Sequence, residues 1–291
     1  MTPSTNIPDI PFECAWAALR FDTAMPVGDA RSSSGLTGVE VVDTDGDLDA
    51  IYPLMSVTKL FSAWASLVAV DRHLLALDDE IGHAGASTRA VTIRHLLAHA
   101  SGMAFDRREF VAQPATKRIY SNAGIETLAD HVADAVAMGL NSWVETSVLE
   151  PLGLASILID GSPAYSGEGN LTDLVRFAGE LARPTLISRE LADEARSPVF
   201  PGIRGVTPGY GSVSDNRWGL GMEIKGSKTR TYFPPSASPA SFGHFGQSGS
   251  LLWIDPEAGC GLVFLGAQPF SDWHRDHWAA MGETLLFSDA R

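Results

Sequence analysis

The sequence is short of cysteine, of lysine and of long apolar runs, and each shortage removes a class of function. Cys14 and Cys260 are the only cysteines, too few and too far apart for a disulfide framework or a zinc site. Both fall in strand-like text, so two buried, reduced thiols are expected. Lysine occurs four times in 291 residues, and the formal net charge is -14. Without clustered cations, neither nucleic acid nor an anionic membrane is an expected partner. No apolar stretch approaches the roughly 18 residues of a membrane span. Met1 to Glu13 holds Pro3, Pro8 and Pro11 but no basic segment followed by an apolar one, so it does not read as a secretory signal, and a cytoplasmic location is expected. A Walker loop, a Gly-x-Ser-x-Gly elbow and a Gly-x-Gly-x-x-Gly turn are all missing, which removes the common nucleotide and hydrolase signatures.

What remains is an ordinary globular composition, 45% hydrophobic and 19% charged, long enough to bury a core as one large domain or two joined ones. Cys14 to Phe21 and Thr37 to Val42 read as strands, with a turn at Asp43 to Asp47. From Ser56 to about Leu191 the periodicity is helical: Ser56 to Val70, Thr92 to His99, Asn122 to Ala137, Asn141 to Val148 and Leu171 to Leu181, with Pro151 and Pro184 as breaks. Glycine and proline then mark loops, followed by strand-like runs at Trp218 to Ile224 and Lys228 to Phe233. A hairpin is expected from Ser250 to Ile254 and Cys260 to Leu265, and a closing helix from Ser271 to Phe287. Strands, then helices, then strands again suit an α+β architecture: an antiparallel sheet from residues 1–62 and 205–291, and a helical domain from 63–204. Ligand sites favour such interfaces.

Three stretches carry chemistry. Lys59 is the only lysine with a serine three positions before it, and residues three apart share a helix face, so its amine can lie against the Ser56 hydroxyl. A lysine takes that proton only if burial or a nearby cation lowers its pKa. Tyr120-Ser-Asn122 is the only Tyr-x-Asn; a tyrosine near a lysine can pass a proton to a leaving group, and an asparagine amide can hold the lysine. Ser241 to Gly249 contains His244-Phe245-Gly246 before the hairpin, where glycine allows close approach of backbone or substrate. His95 and His99, at i and i+4, lack the glutamate of a zinc motif and are expected to be structural. His274 and His277 are expected on a solvated helix face.

Together, Ser-x-x-Lys opening a helix, Tyr-x-Asn and a His-x-Gly strand resemble the serine beta-lactamase and penicillin-binding-protein superfamily, in its class C beta-lactamase and esterase-like branch. Connecting text agrees, including Thr92 to Gly102, Leu149 to Leu154, Trp218-Gly-Leu-Gly221 and Leu252 to Pro256. The resemblance implies the beta-lactamase/transpeptidase-like fold, with the active site between sheet and helices and with neither metal nor cofactor. It also implies that Ser56 is acylated, that Lys59 and Tyr120 relay protons, and that Asn122 positions Lys59 and the acyl group. His244, Phe245 and Gly246 would bind substrate, and the backbone N–H groups of Ser56 and Gln247 would form an oxyanion hole. Where many relatives have Lys-Thr-Gly, this chain has His244-Phe245-Gly246, which removes a cation and a hydroxyl suited to a substrate carboxylate. The expected partner is therefore a small ester or amide, cleaved through an acyl-serine. A transacylase, a true beta-lactamase or D-amino-acid peptidase, and an idle ligand-binding protein of this fold are the alternatives.

Overall fold

The structure, a computed structural model, describes residues 7–22, 38–83 and 90–288. In chain order its main elements are β1 (Cys14–Phe21), β2 (Val39–Asp45), α1 (Thr58–Asp71), α2 (Ile93–Leu97), α3 (Asn122–Val136), α4 (Leu171–Ala182), β3 (Glu223–Ile224), β4 (Phe242–Phe245), β5 (Leu251–Asp255), β6 (Cys260–Gly266) and α5 (Asp272–Phe287). The strands form one sheet in the order β3-β4-β5-β6-β1-β2, antiparallel at every step. The first strand thus lies against the last, with Cys14 opposite Gly266 and Arg20 opposite Cys260. That register puts the two thiols at opposite ends of one ladder. Cys260 is buried and Cys14 only half-buried, both unpaired.

Both faces of the sheet are covered, which is why β5 up to Ile254 and β6 are apolar rather than alternating. Leu19, Phe21, Ile254, Val263 and Leu265 face α1 and α4, where Phe61, Trp64 and Phe177 complete the larger core. Trp16, Trp253, Leu262 and Phe264 face α5 and its Trp278, Met281 and Leu286. Helix α1 departs from the expected amphipathic stripe: every residue from Thr58 to Ala69 is buried. A helix enclosed on all sides must place any lysine it carries in a dry environment.

Several local expectations differ from the structure. Strand β2 runs to Asp45 rather than turning at Asp43, while Thr37 lies outside the described residues. Pro151 does not break the helical run: it follows a π-helical turn at Glu145–Leu149, and the run ends two residues later at Gly153, φ 66°. Of Trp218 to Ile224 only Glu223 and Ile224 join the sheet. The chain doubles back before them at Gly221, φ 97°, and Trp218 bridges Glu223. Lys228 to Phe233 is not a strand at all. Lys225 donates to the carbonyls of Pro235 (2.9 Å) and Ala237, and Lys228 to those of Arg217 (3.0 Å) and Ile224 (2.5 Å). These buried ammonium groups satisfy carbonyls that a ladder would otherwise have taken. His274 is buried, not solvated; its Nδ1 accepts the Ser271 N–H at the start of α5, and burial lowers its pKa to about 4.

Candidate active site

Ser56 lies on a single tight turn, Met55–Val57, that leads directly into α1. Met55 before it has φ 45°, a sparsely populated conformation for a residue with a side chain. The turn is held by neighbours on two sides. Thr58 Oγ1 accepts the Gly167 N–H (2.9 Å), Ser62 donates to the Pro163 carbonyl (2.6 Å) and Ser250 to that of Pro53 (2.8 Å). Gly246, at the end of β4, approaches so closely that a Cβ there would stand 2.2 Å from the Leu54 carbonyl oxygen. Only glycine permits that approach, which places the segment of Gln247 beside that of Ser56.

The Lys59 amine has three partners. Its Nζ is 3.3 Å from Ser56 Oγ, 2.6 Å from Asn122 Oδ1 and 2.8 Å from the Ala164 carbonyl oxygen, and it lies 4.7 Å from the centre of the Tyr120 ring. Burial lowers its pKa to about 7, against a weaker opposing pull from the Glu126 charge. A neutral amine has two N–H groups and one lone pair. Asn122 Oδ1 and the Ala164 carbonyl oxygen can only accept, so they take the two N–H groups and the lone pair is left facing the Ser56 hydroxyl.

Tyr120 is presented from an irregular segment anchored by buried partners. Arg118 donates to the carbonyls of Ala98, Val199, Phe200 and Asn216. Ser121 caps α3 by accepting the Gly124 N–H (2.8 Å), which leaves the Asn122 side chain free for Lys59. His99 brackets Tyr120: its carbonyl accepts the Ile119 N–H (3.0 Å) and its Nδ1 the Ser121 N–H (3.2 Å), while its ring lies 4.7 Å from the Tyr120 ring. Burial above all, then the Lys59 charge, holds His99 neutral. The Tyr120 phenol is pushed toward its protonated form, chiefly by burial. The Ser56 hydroxyl pulls the other way but not in hydrogen-bonding geometry, so the phenol has no partner among the described residues.

Replacing His99 by alanine is expected to leave the Ser121 N–H unsatisfied, at a cost of about 1–3 kcal/mol, and to loosen Tyr120. The expected result is a lower Tm together with a kcat about tenfold lower. Asparagine, which tolerates the positive φ of 51° and carries an acceptor oxygen, should recover part of both. Thermal melts and steady-state kinetics of the two variants check this.

Ser56, Tyr120, Asn122, His244, Phe245 and Gln247 line one cavity of about 370 Å³ with Met55, Phe105, Tyr165, Pro208, Trp218 and Glu223. His244 Nδ1 bonds the Phe245 carbonyl oxygen at 2.8 Å, which requires the proton on Nδ1 and leaves Nε2 as an acceptor. Burial, then the Lys59 charge, lower its pKa to about 3, so His244 supplies no cation. Phe245 packs edge-on against Tyr210 and Tyr232. Phe105 and Tyr165, about half and two-fifths exposed, make part of the cavity's lining apolar at the surface.

The structure brings Ser56, Lys59, Tyr120, Asn122, His244, Phe245, Gly246 and Gln247 together at one place, and leaves His274 and His277 outside it. Trp218, Glu223, Ala164 and His99 belong to it as well. Trp218 and Glu223 flank the Gly219-Leu-Gly221 run, a signal of close packing that does not specify which side chains face a cavity. Ala164 acts through its carbonyl and leaves no signal in side-chain identity. No group of three or more potential metal ligands occurs among the described residues, and no helix among them is long and apolar enough to cross a membrane.

An antiparallel sheet covered by helices on both faces, with a serine–lysine turn opening the central helix, is the beta-lactamase/transpeptidase arrangement of serine hydrolases. The chain belongs to the beta-lactamase family, whose family model matches residues 19–285. A beta-lactamase from Mycobacterium bovis is 37% identical, with a TM-score of 0.85 and 95% of each chain covered. A hydrolase with promiscuous acyltransferase activity shares the fold at 14% identity, with a TM-score of 0.71 over 94% of this chain and 93% of that one. A Salmonella schwarzengrund protein provisionally named D-alanyl-D-alanine carboxypeptidase is 28% identical over 206 residues, 55% of this chain. The chain spans about half the length of that curated relative, 47%.

Proposed function

We propose that this serine hydrolase cleaves a small ester or amide through an acyl-Ser56 intermediate. The observation that carries the reading is the Lys59 amine, dry, held by two acceptors and aimed at the Ser56 hydroxyl. Neutral Lys59 takes the proton as Ser56 Oγ attacks the substrate carbonyl. The oxyanion is received by the backbone N–H groups of Ser56 and Gln247, a device worth about 3 kcal/mol per donor. Tyr120, kept protonated by burial, gives its proton to the leaving group and recovers one through Lys59. Water then enters along the same path, and the acyl group leaves as an acid. Asn122 keeps Lys59 in register, and His244, Phe245 and Gly246 shape the wall against which the acyl group rests.

A carboxylate-bearing beta-lactam or peptide suits this wall poorly, because His244 is neutral and Phe245 has no hydroxyl. The test is turnover of p-nitrophenyl acetate against nitrocefin: the ester is expected to be cleaved and nitrocefin far more slowly. The reading fails if neither is turned over and no acyl-enzyme forms. Since the base must be unprotonated, kcat/KM for the ester should rise tenfold per pH unit below about 7 and level off above it. A pH–rate profile checks the sign, and a rate that falls through pH 7 would contradict Lys59 as base.

A further inference from the structure

Among the described residues lining the cavity, one is acidic and none is a lysine or arginine: the acidic one is Glu223. Strand β3 delivers it beside β4, with Glu223 opposite Gly243, next in sequence to His244. Its Oε1 accepts from Thr207 Oγ1 (3.0 Å) and from Lys228 Nζ (3.1 Å). Lys228 is buried and directs its other N–H groups to the carbonyls of Arg217 and Ile224, so it has no donor left for a substrate. The Tyr232 phenol lies near enough to feel this carboxylate directly, but not in hydrogen-bonding geometry, so among the described residues the named partners of Glu223 are all on Oε1. The phenols of Tyr120, Tyr210 and Tyr232 are held protonated by burial first, and each also feels the Glu223 charge.

We propose that Glu223 determines specificity: its Oε2 accepts a hydrogen bond from a hydroxyl, amide N–H or ammonium on the acyl part of the substrate and disfavours an acyl group ending in a carboxylate. This rests on the serine-hydrolase reading and names the substrate class for that same site. A carboxylate brought within about 6 Å of Glu223 meets repulsion at an effective dielectric constant near 20 that Lys228, paired with Oε1 and outside the cavity lining, offsets only in part, and about a tenfold loss of affinity is expected. An ammonium group gains from the same charge.

The experiment compares kcat/KM for three p-nitrophenyl esters of similar acyl size: the butyrate, the β-alaninate (ammonium) and the hemisuccinate (carboxylate). For the wild-type protein the hemisuccinate is expected at least tenfold below the butyrate, and the β-alaninate above it. In Glu223→Gln the hemisuccinate-to-butyrate ratio should rise at least fivefold and the β-alaninate-to-butyrate ratio should fall. Because glutamine leaves Lys228 buried without its carboxylate, the double variant Glu223→Gln with Lys228→Met is measured alongside and should show the same reversal. Hemisuccinate cleaved as well as butyrate by the wild type, or a charge ranking that survives in both variants, overturns the inference alone. A wild-type protein inert to all three esters and to a fluorophosphonate overturns the hydrolase reading and the inference with it.

Discussion

Ser56→Ala is expected to fold normally, to take up no fluorophosphonate and to cleave p-nitrophenyl acetate at least ~10³-fold more slowly than the wild-type protein. The size of the loss follows from what Oγ does in the proposed reaction, where it forms the acyl bond. The fold is untouched because the one hydrogen bond of Ser56 Oγ among the described residues is the 3.3 Å approach of Lys59 Nζ. Steady-state kinetics and intact mass after labelling measure the effect. Residual turnover within tenfold of wild type would remove Ser56 from the chemistry.

Lys59→Met is expected to lower turnover by ~10²–10⁴-fold, the range a positioned general base contributes, and to abolish the rise in rate through pH 7. Its effect on stability has a separate sign. Burial depresses the folded-state pKa to about 7 from an ordinary 10.5, so between these values the unfolded chain binds more protons than the folded one. Stability from this group therefore rises with pH across that window, and the burial penalty is fully present below pH 7. Methionine carries no proton, so the variant should lose that part of the pH dependence of Tm. Against this, Asn122 Oδ1 and the Ala164 carbonyl each lose a donor, at about 1–3 kcal/mol apiece if left dry. Melting curves at pH 6.5 and 9.5, wild type beside variant, separate the two contributions. An unchanged pH slope of Tm would mean that Lys59 is not titrating in this range.

How much of this could be read from letters varied with the kind of interaction. Ser56 and Lys59 were legible because a helix converts a spacing of three into contact. The sheet built from both ends of the chain was legible from element order, since β1 and β6 are apolar runs at opposite termini of a helical middle. Lys228 to Phe233 misled because β-like composition, Thr231-Tyr-Phe233, also suits an irregular segment that buries aromatic rings; Tyr232 packs beside Phe245 and Phe233 beside Trp253 while Lys225 and Lys228 cap the carbonyls. His274 misled because aspartates on both sides imply water, yet its ring lies between Phe12 and Trp278. The depth of Lys59 was not legible either. An apolar stripe was visible on α1, but complete enclosure depends on segments far away in sequence, such as 163–167. Glu223 and His99 likewise owe their places to long-range pairing, with Gly243 in the first case and with the flanks of Tyr120 in the second.

The central claim is that Lys59, held dry between Asn122 and Ala164, makes the Ser56 oxygen reactive. The most direct measurement is the rate and site of labelling of the wild-type protein by a fluorophosphonate between pH 5.5 and 9, with the modified peptide located by mass spectrometry. A single adduct on Ser56, forming faster as pH rises through about 7, is the expected result. No adduct, an adduct on another residue, or a labelling rate indifferent to pH across that range would contradict it.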